Sequence, residues 1–128
     1  MALIIVSAKD REDAYEKLIK LKNKEAYVEE PKRLQDFIFY YRNELKFYEN
    51  YLKLNPYGIS KIDNREIKFI KEFLESLTRF LEENENLENK IIEKYNLSMA
   101  KIRKYIGKLM KVLDYAEKNG DDIIGLGD

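Results

Sequence analysis

The residues Ile91-Ile92-Glu93-Lys94-Tyr95-Asn96-Leu97-Ser98-Met99-Ala100-Lys101-Ile102-Arg103-Lys104-Tyr105-Ile106 read as the end of one short helix, a tight turn and the cap of the next. The apolar face carried by Ile91 and Ile92 stops at Tyr95-Asn96. Asn tolerates the left-handed backbone that such a stop requires better than most residues do. Ser98 is a good N-cap, because its hydroxyl can accept from one of the unpaired N–H groups of a first helical turn. Beyond it Ile102, Ile106, Leu109, Leu113 and Ala116 recur at helical spacing, and Asn119-Gly120 is a standard helix stop.

Upstream, Ile67, Ile70, Phe73, Leu74, Leu77, Phe80 and Leu81 predict another helix, entered through Asp63 and Glu66 in the spacing of a capping box. Asn55-Pro56-Tyr57-Gly58 is the clearest break in the chain. Before it, residues 31–54 read as one long helix. Pro31 suits its first position, and Leu34, Ile38, Tyr41, Leu45, Tyr48 and Leu52 alternate spacings of four and three. Residues 37–41 (Phe, Ile, Phe, Tyr, Tyr) step round a helix at 100° each, so one core face cannot hide them all. That predicts a central helix or a subunit interface. Ala14, Leu18 and Leu21 mark a further helix from about Asp10. Residues 3–6 form a β-branched run that reads as a strand needing a partner, with residues 123–126 the candidate in this chain. The expected fold is therefore all-α: a bundle of about five helices with a short N-terminal strand, in a single domain over 1–128. Residues 1–58 would supply the strand and a helical dimerisation part, residues 59–120 the remaining helices, and residues 121–128 a tail.

Composition bounds the chemistry. The chain has 128 residues, with no Cys, no His and no Trp, and 24 basic residues balance 24 acidic ones. Disulfides, thiol nucleophiles, the usual general base and the commonest metal ligand are excluded together. Five Gly leave little material for phosphate loops. Glu82, Glu83, Glu85 and Glu88 cluster in sequence but read as a solvated acidic turn. The expectation is a non-enzymatic protein with no catalytic residues, no metal, no cofactor and no small-molecule substrate. The longest wholly apolar run, residues 2–6, is far short of a membrane span of ~20 residues. No basic residue precedes it as a signal peptide would require, so a cytoplasmic protein is expected.

The segment quoted first resembles the helix-turn-helix of bacterial and archaeal DNA-binding regulators. In that family a short helix ends at an apolar residue, here Tyr95, and a residue able to take positive φ follows, here Asn96. An apolar plug comes next, here Leu97, then often a capping Ser, here Ser98, and further on a β-branched core residue, here Ile102. Two positions depart from the pattern: Ile92 stands where Ala is general, and Tyr105 where an aliphatic residue is commoner. The resemblance implies DNA binding by a recognition helix starting at Ser98.

Charge points the same way. Residues 90–118 carry eight basic and three acidic side chains, so the neutral total conceals one basic element. Between residues 98 and 113 lie Lys101, Arg103, Lys104, Lys108 and Lys111, with no acidic residue among them. At 100° per residue Lys104, Lys108 and Lys111 lie opposite the apolar stripe, flanked by Arg103 and Lys101. The expected partner is double-stranded DNA: Ser98, Met99, Arg103 and Lys104 would face the groove or its rim, and Lys101, Lys108 and Lys111 would contact phosphates. Gly107 sits mid-helix on the polar side, where a small residue permits close approach to the backbone. The aromatic stripe of residues 39–51, interleaved with Arg42, Lys46 and Lys53, could stack on unpaired bases, but such a stripe is far more often core. A homodimer through residues 31–54 is expected, and the rival function is a self-associating helical scaffold whose basic helix meets an acidic partner.

Overall fold

The two apolar runs at opposite ends of the sequence pair with each other. In the computed structural model, which describes residues 3–20 and 24–128, strand β1 (Ile4–Ala8) runs antiparallel to β4 (Asp122–Leu126), with Ile4 opposite Leu126 and Val6 opposite Ile124. Two strands that the sequence pattern does not announce complete the sheet. β2 (Tyr27–Glu29) pairs with the other side of β1, and β3 (Ile59–Ile62) with the other side of β4, giving the antiparallel order β2-β1-β4-β3. The expected all-α bundle is thereby corrected to a mixed α/β fold. The residues read as a C-terminal tail supply a central strand. β2 has three residues and β3 sets Ser60 and Lys61 side by side between its two Ile, so neither carries a run long enough to be recognised before its partner is in place.

Strand alternation divides the sheet into two faces. Leu3, Ile5, Val28, Ile62 and Ile123 point into the main core. Val6, Ala8, Ile124 and Leu126 point the other way, under helix α1 (Arg11–Lys20), whose Ala14 and Leu18 meet them. Leu21, expected on the same stripe, lies outside the described residues. The main face is covered by the remaining helices, chief among them α4 (Ile67–Glu83) and α6 (Met99–Asn119). These two pack on each other, and α6 also lies against β1 and β2. The layers are therefore one helix, a sheet, and a thick helical layer. Asp121 is buried just before β4; it accepts from Ser7 Oγ and Lys17 Nζ, each at 3.0 Å, and so ties α1, β1 and the end of α6 together.

The single helix expected over residues 31–54 does not form. Pro31 stands before the helix rather than in its first turn, and α2 covers only Leu34–Tyr40. A 3-10 turn at Arg42–Glu44 and an extended Leu45 follow, and then the one-turn helix α3 (Tyr48–Tyr51). Two non-glycine residues with positive φ, Arg33 at 69° and Phe47 at 54°, enforce the breaks. Ring packing explains why they are tolerated. Tyr41 meets Phe80 at 4.9 Å between centroids, Phe47 meets Phe69 at 4.9 Å and Tyr51 stacks on Phe73 at 4.7 Å, so a folded-back segment lays its aromatics along α4. The entry to α4 differs as well: Asp63 caps the 3-10 turn Asn64–Glu66 by accepting from Arg65 N, while Glu66 pairs with Lys53 instead of closing a capping box.

Candidate nucleic-acid interface

The corner between α5 (Glu88–Tyr95) and α6 is built residue by residue as its sequence suggests. Asn96 takes the left-handed conformation at φ 54° and sends its N–H to Ile92 O. Leu97 is buried, and Ser98 Oγ accepts from Lys101 N at 3.1 Å. Glu88 contributes a contact the sequence does not foretell: rather than standing in a solvated acidic turn, its carboxylate accepts from Met99 N at 3.0 Å. The start of α6 thus holds two acceptors already, one of them anionic, which offsets the positive end of the helix dipole.

The compact crossing that the helix-turn-helix resemblance implies is not what forms. α5 packs on α2, whereas α6 packs on α4 and the sheet. Ile92, expected at the crossing, is 41% exposed, and its neighbour Ile91 fills the core instead. Met99 is 3% exposed and faces inward, so it cannot reach a groove, and Ser98 is half-buried with its hydroxyl engaged in the cap. Tyr105, the other departure from the pattern, is buried.

The basic side chains stand where the periodicity places them. Lys101, Arg103, Lys104, Lys108 and Lys111 are all exposed on α6, and none of them makes an ion pair among the described residues. Across the helix the pattern is different. Lys71 of α4 is held between Asp114, at 2.5 Å, and Glu117, so the acidic residues of the last turns face α4. Lys111 borders a shallow hollow that it shares with Glu25, Asp114 and Lys118. The positive field is therefore least compensated over residues 101–108. Gly107 lies within that face, and a Cβ there would meet nothing within 4 Å, so the backbone is open to approach.

A second cationic group, Lys94 of α5 with Arg33 and Arg42 at either end of α2, stands against the rings near the corner. Lys94 Nζ lies 3.7 Å from the Tyr40 ring centroid and 5.4 Å from that of Tyr95, and the Arg33 guanidinium lies 5.7 Å from the Tyr95 ring on its own account. Arg42 stacks over Phe39 at 4.1 Å. The spacing of residues 39–51 pointed to a core stripe; the structure divides it, burying Tyr51 while leaving Phe39 and Tyr40 more than half exposed.

Beneath the surface a polar network joins three elements. Glu30, between β2 and α2, is buried and accepts from Tyr51 Oη and, at 3.2 Å, from Gln35 Nε2. Tyr51 and Tyr105 hydroxyls are 2.7 Å apart. Tyr105 therefore brings a hydroxyl to this network, which an aliphatic residue could not do. Burial pushes the Glu30 carboxyl up to about 7, against hydrogen bonds from Tyr51 and Gln35 that favour its charged form. Burial likewise raises both tyrosines well above their ordinary range.

Among the described residues no group of three or more acidic side chains is placed to hold a metal ion, and no helix is long and apolar enough to cross a membrane. No protein-family model matches the chain, and no curated protein and no solved structure matches it either.

Proposed function

We propose that this protein binds nucleic acid through the outer face of α6, with Lys101, Arg103, Lys104, Lys108 and, at the margin, Lys111 contacting phosphates. The observation that carries the reading is an exposed helical face on which five cations stand without an ion pair among the described residues. A merely solvated face interleaves the two signs, as α4 does with Lys68, Glu72, Glu75 and Arg79. An unbalanced row of cations costs self-repulsion in the free protein, and a polyphosphate backbone relieves it while releasing condensed counterions. The contact is to backbone more than to base edges. With Met99 inside and Ser98 engaged in its cap, only Arg103 and Lys104 of the groove-facing set project outward.

The test is a titration into labelled double-stranded DNA at several salt concentrations, with the unmodified protein and a Lys104→Glu/Lys108→Glu variant. Both side chains are exposed, so the variant should fold normally. Two phosphate contacts would be lost, and the log–log salt slope should flatten by about two units. Absence of binding by the unmodified protein to duplex and single strand alike, at about 50 mM salt and tens of micromolar protein, overturns the proposal.

A further inference from the structure

Two consecutive rings of α2 have no place in the core. Phe39 is 56% exposed and Tyr40 is 59% exposed, although burying such rings would favour the fold. Each ring carries a cation at its face, Arg42 on Phe39 and Lys94 on Tyr40. Lys94 and Arg33 flank the Tyr95 ring, which is itself buried, and the corner of residues 96–98 joins α5 to the start of α6, where Lys101 stands. Asp36, the carboxylate on the same helix, is neutralised by Arg33 at 2.8 Å.

We infer that Phe39 and Tyr40 form a stacking platform for unpaired nucleobases, and that the nucleic acid held by α6 is a single strand. This rests on the reading of α6 as a phosphate-contacting face. An unpaired base offers a π-face to stack on each ring and a phosphate to pair with the neighbouring guanidinium or ammonium. A duplex keeps its bases stacked on one another and presents only sugar and phosphate to these rings, which would leave them without use. An apolar protein surface would have to desolvate Arg42 and Lys94 in order to cover the rings, with no carboxylate supplied in return. Two exposed rings, each with its own cation, match a strand that offers a base and a phosphate at every nucleotide.

The experiment compares oligo(dT) of roughly 15 nucleotides with a duplex of the same length, at about 50 mM salt. Four proteins are titrated: unmodified, Phe39→Ala, Tyr40→Ala and Lys104→Glu/Lys108→Glu. The unmodified protein should bind oligo(dT) more tightly than duplex. Each ring removal should weaken oligo(dT) binding by about tenfold and leave duplex affinity unchanged within about twofold. Quenching of tyrosine fluorescence by oligo(dT) should shrink in Tyr40→Ala, while the lysine variant should lose affinity for both ligands. Ring variants that bind oligo(dT) as the unmodified protein does, with duplex binding intact, overturn the platform and leave the phosphate-contacting face standing. The platform also falls if duplex is bound more tightly than oligo(dT). So does it if the ring variants change the protein's mass by light scattering but not its oligo(dT) affinity, which would assign the rings to self-association. Failure of every protein to bind either ligand overturns both readings.

Discussion

Glu30 shows how a single carboxyl can set the pH dependence of the whole molecule. In the unfolded chain it titrates near 4.5, and in the folded protein near 7, because burial disfavours the anion more than Tyr51 and Gln35 favour it. The folded state therefore holds this proton more tightly than the unfolded state. Its stabilising effect is complete below about pH 4.5 and is lost as pH rises through 7. The difference of about 2.5 units corresponds to roughly 3 kcal/mol. Urea unfolding at about pH 5 and about pH 8 should show the protein weaker at the higher value by an amount of that order. Glu30→Gln, which has no charge to bury, should flatten the dependence and be the more stable protein at the higher pH. An unmodified protein whose stability is the same at both values would show that the carboxyl stays hydrated. Nothing local in the sequence distinguishes Glu30 from Glu29. Both precede Pro31, yet Glu29 is an exposed strand residue and Glu30 is buried against Tyr51, whose hydroxyl meets that of Tyr105.

Among elements, α6 was the most legible, because its information is local: a capping Ser98, an apolar stripe at regular spacing, and Gly120 at φ 67° to end it. The basic face follows from the same periodicity, and five of its seven candidate residues are exposed as expected, Met99 being buried and Ser98 half-buried. The heptad spacing of residues 31–54 is genuine, but its cause is not a single straight helix. Phe37, Tyr41, Phe47 and Tyr51 each meet a ring of α4, which favours a broken path over a straight one; Phe47 accepts a positive φ while its ring packs on Phe69. Ring partners on another element leave no trace in local spacing. Gly107 tests how well α6 is understood. It lies mid-helix, is exposed, and would place a new Cβ in open space. Gly107→Ala should therefore raise unfolding stability by about 0.5–1 kcal/mol, by restricting the unfolded chain and favouring the helix. A loss of stability in the same urea titration would mean that the backbone at this position is not ordinary α-helix.

At the scale of the molecule, the sheet makes the first and last elements in the chain its central pair. β1 lies between β2 and β4, and β3 reaches the rest of the sheet only through β4. The pairing of residues 3–6 with residues 123–126 was open to reading because both are apolar runs with no other partner. β2 and β3 were not, since each exists by virtue of the strand beside it. The consequence is cooperative. Removing residues 121–128 would deprive β1 of its neighbour along its full length and leave β3 unpaired. It would also free Ser7 and Lys17 from the Asp121 carboxylate and uncover Ile5 and Val6, both fully buried. α6 rests on β1 and β2, so its apolar stripe would face an unsupported strand. The shortened chain should then keep some helical circular dichroism but lose a sharp thermal transition. The sheet and the helices share one core, because Leu3, Ile5 and Ile123 lie in one cluster with Ile102 and Leu113. A truncated chain that melts sharply near the midpoint of the unmodified one would show that α4 and α6 hold the fold without β4, and that the sheet is an accessory to a helical core.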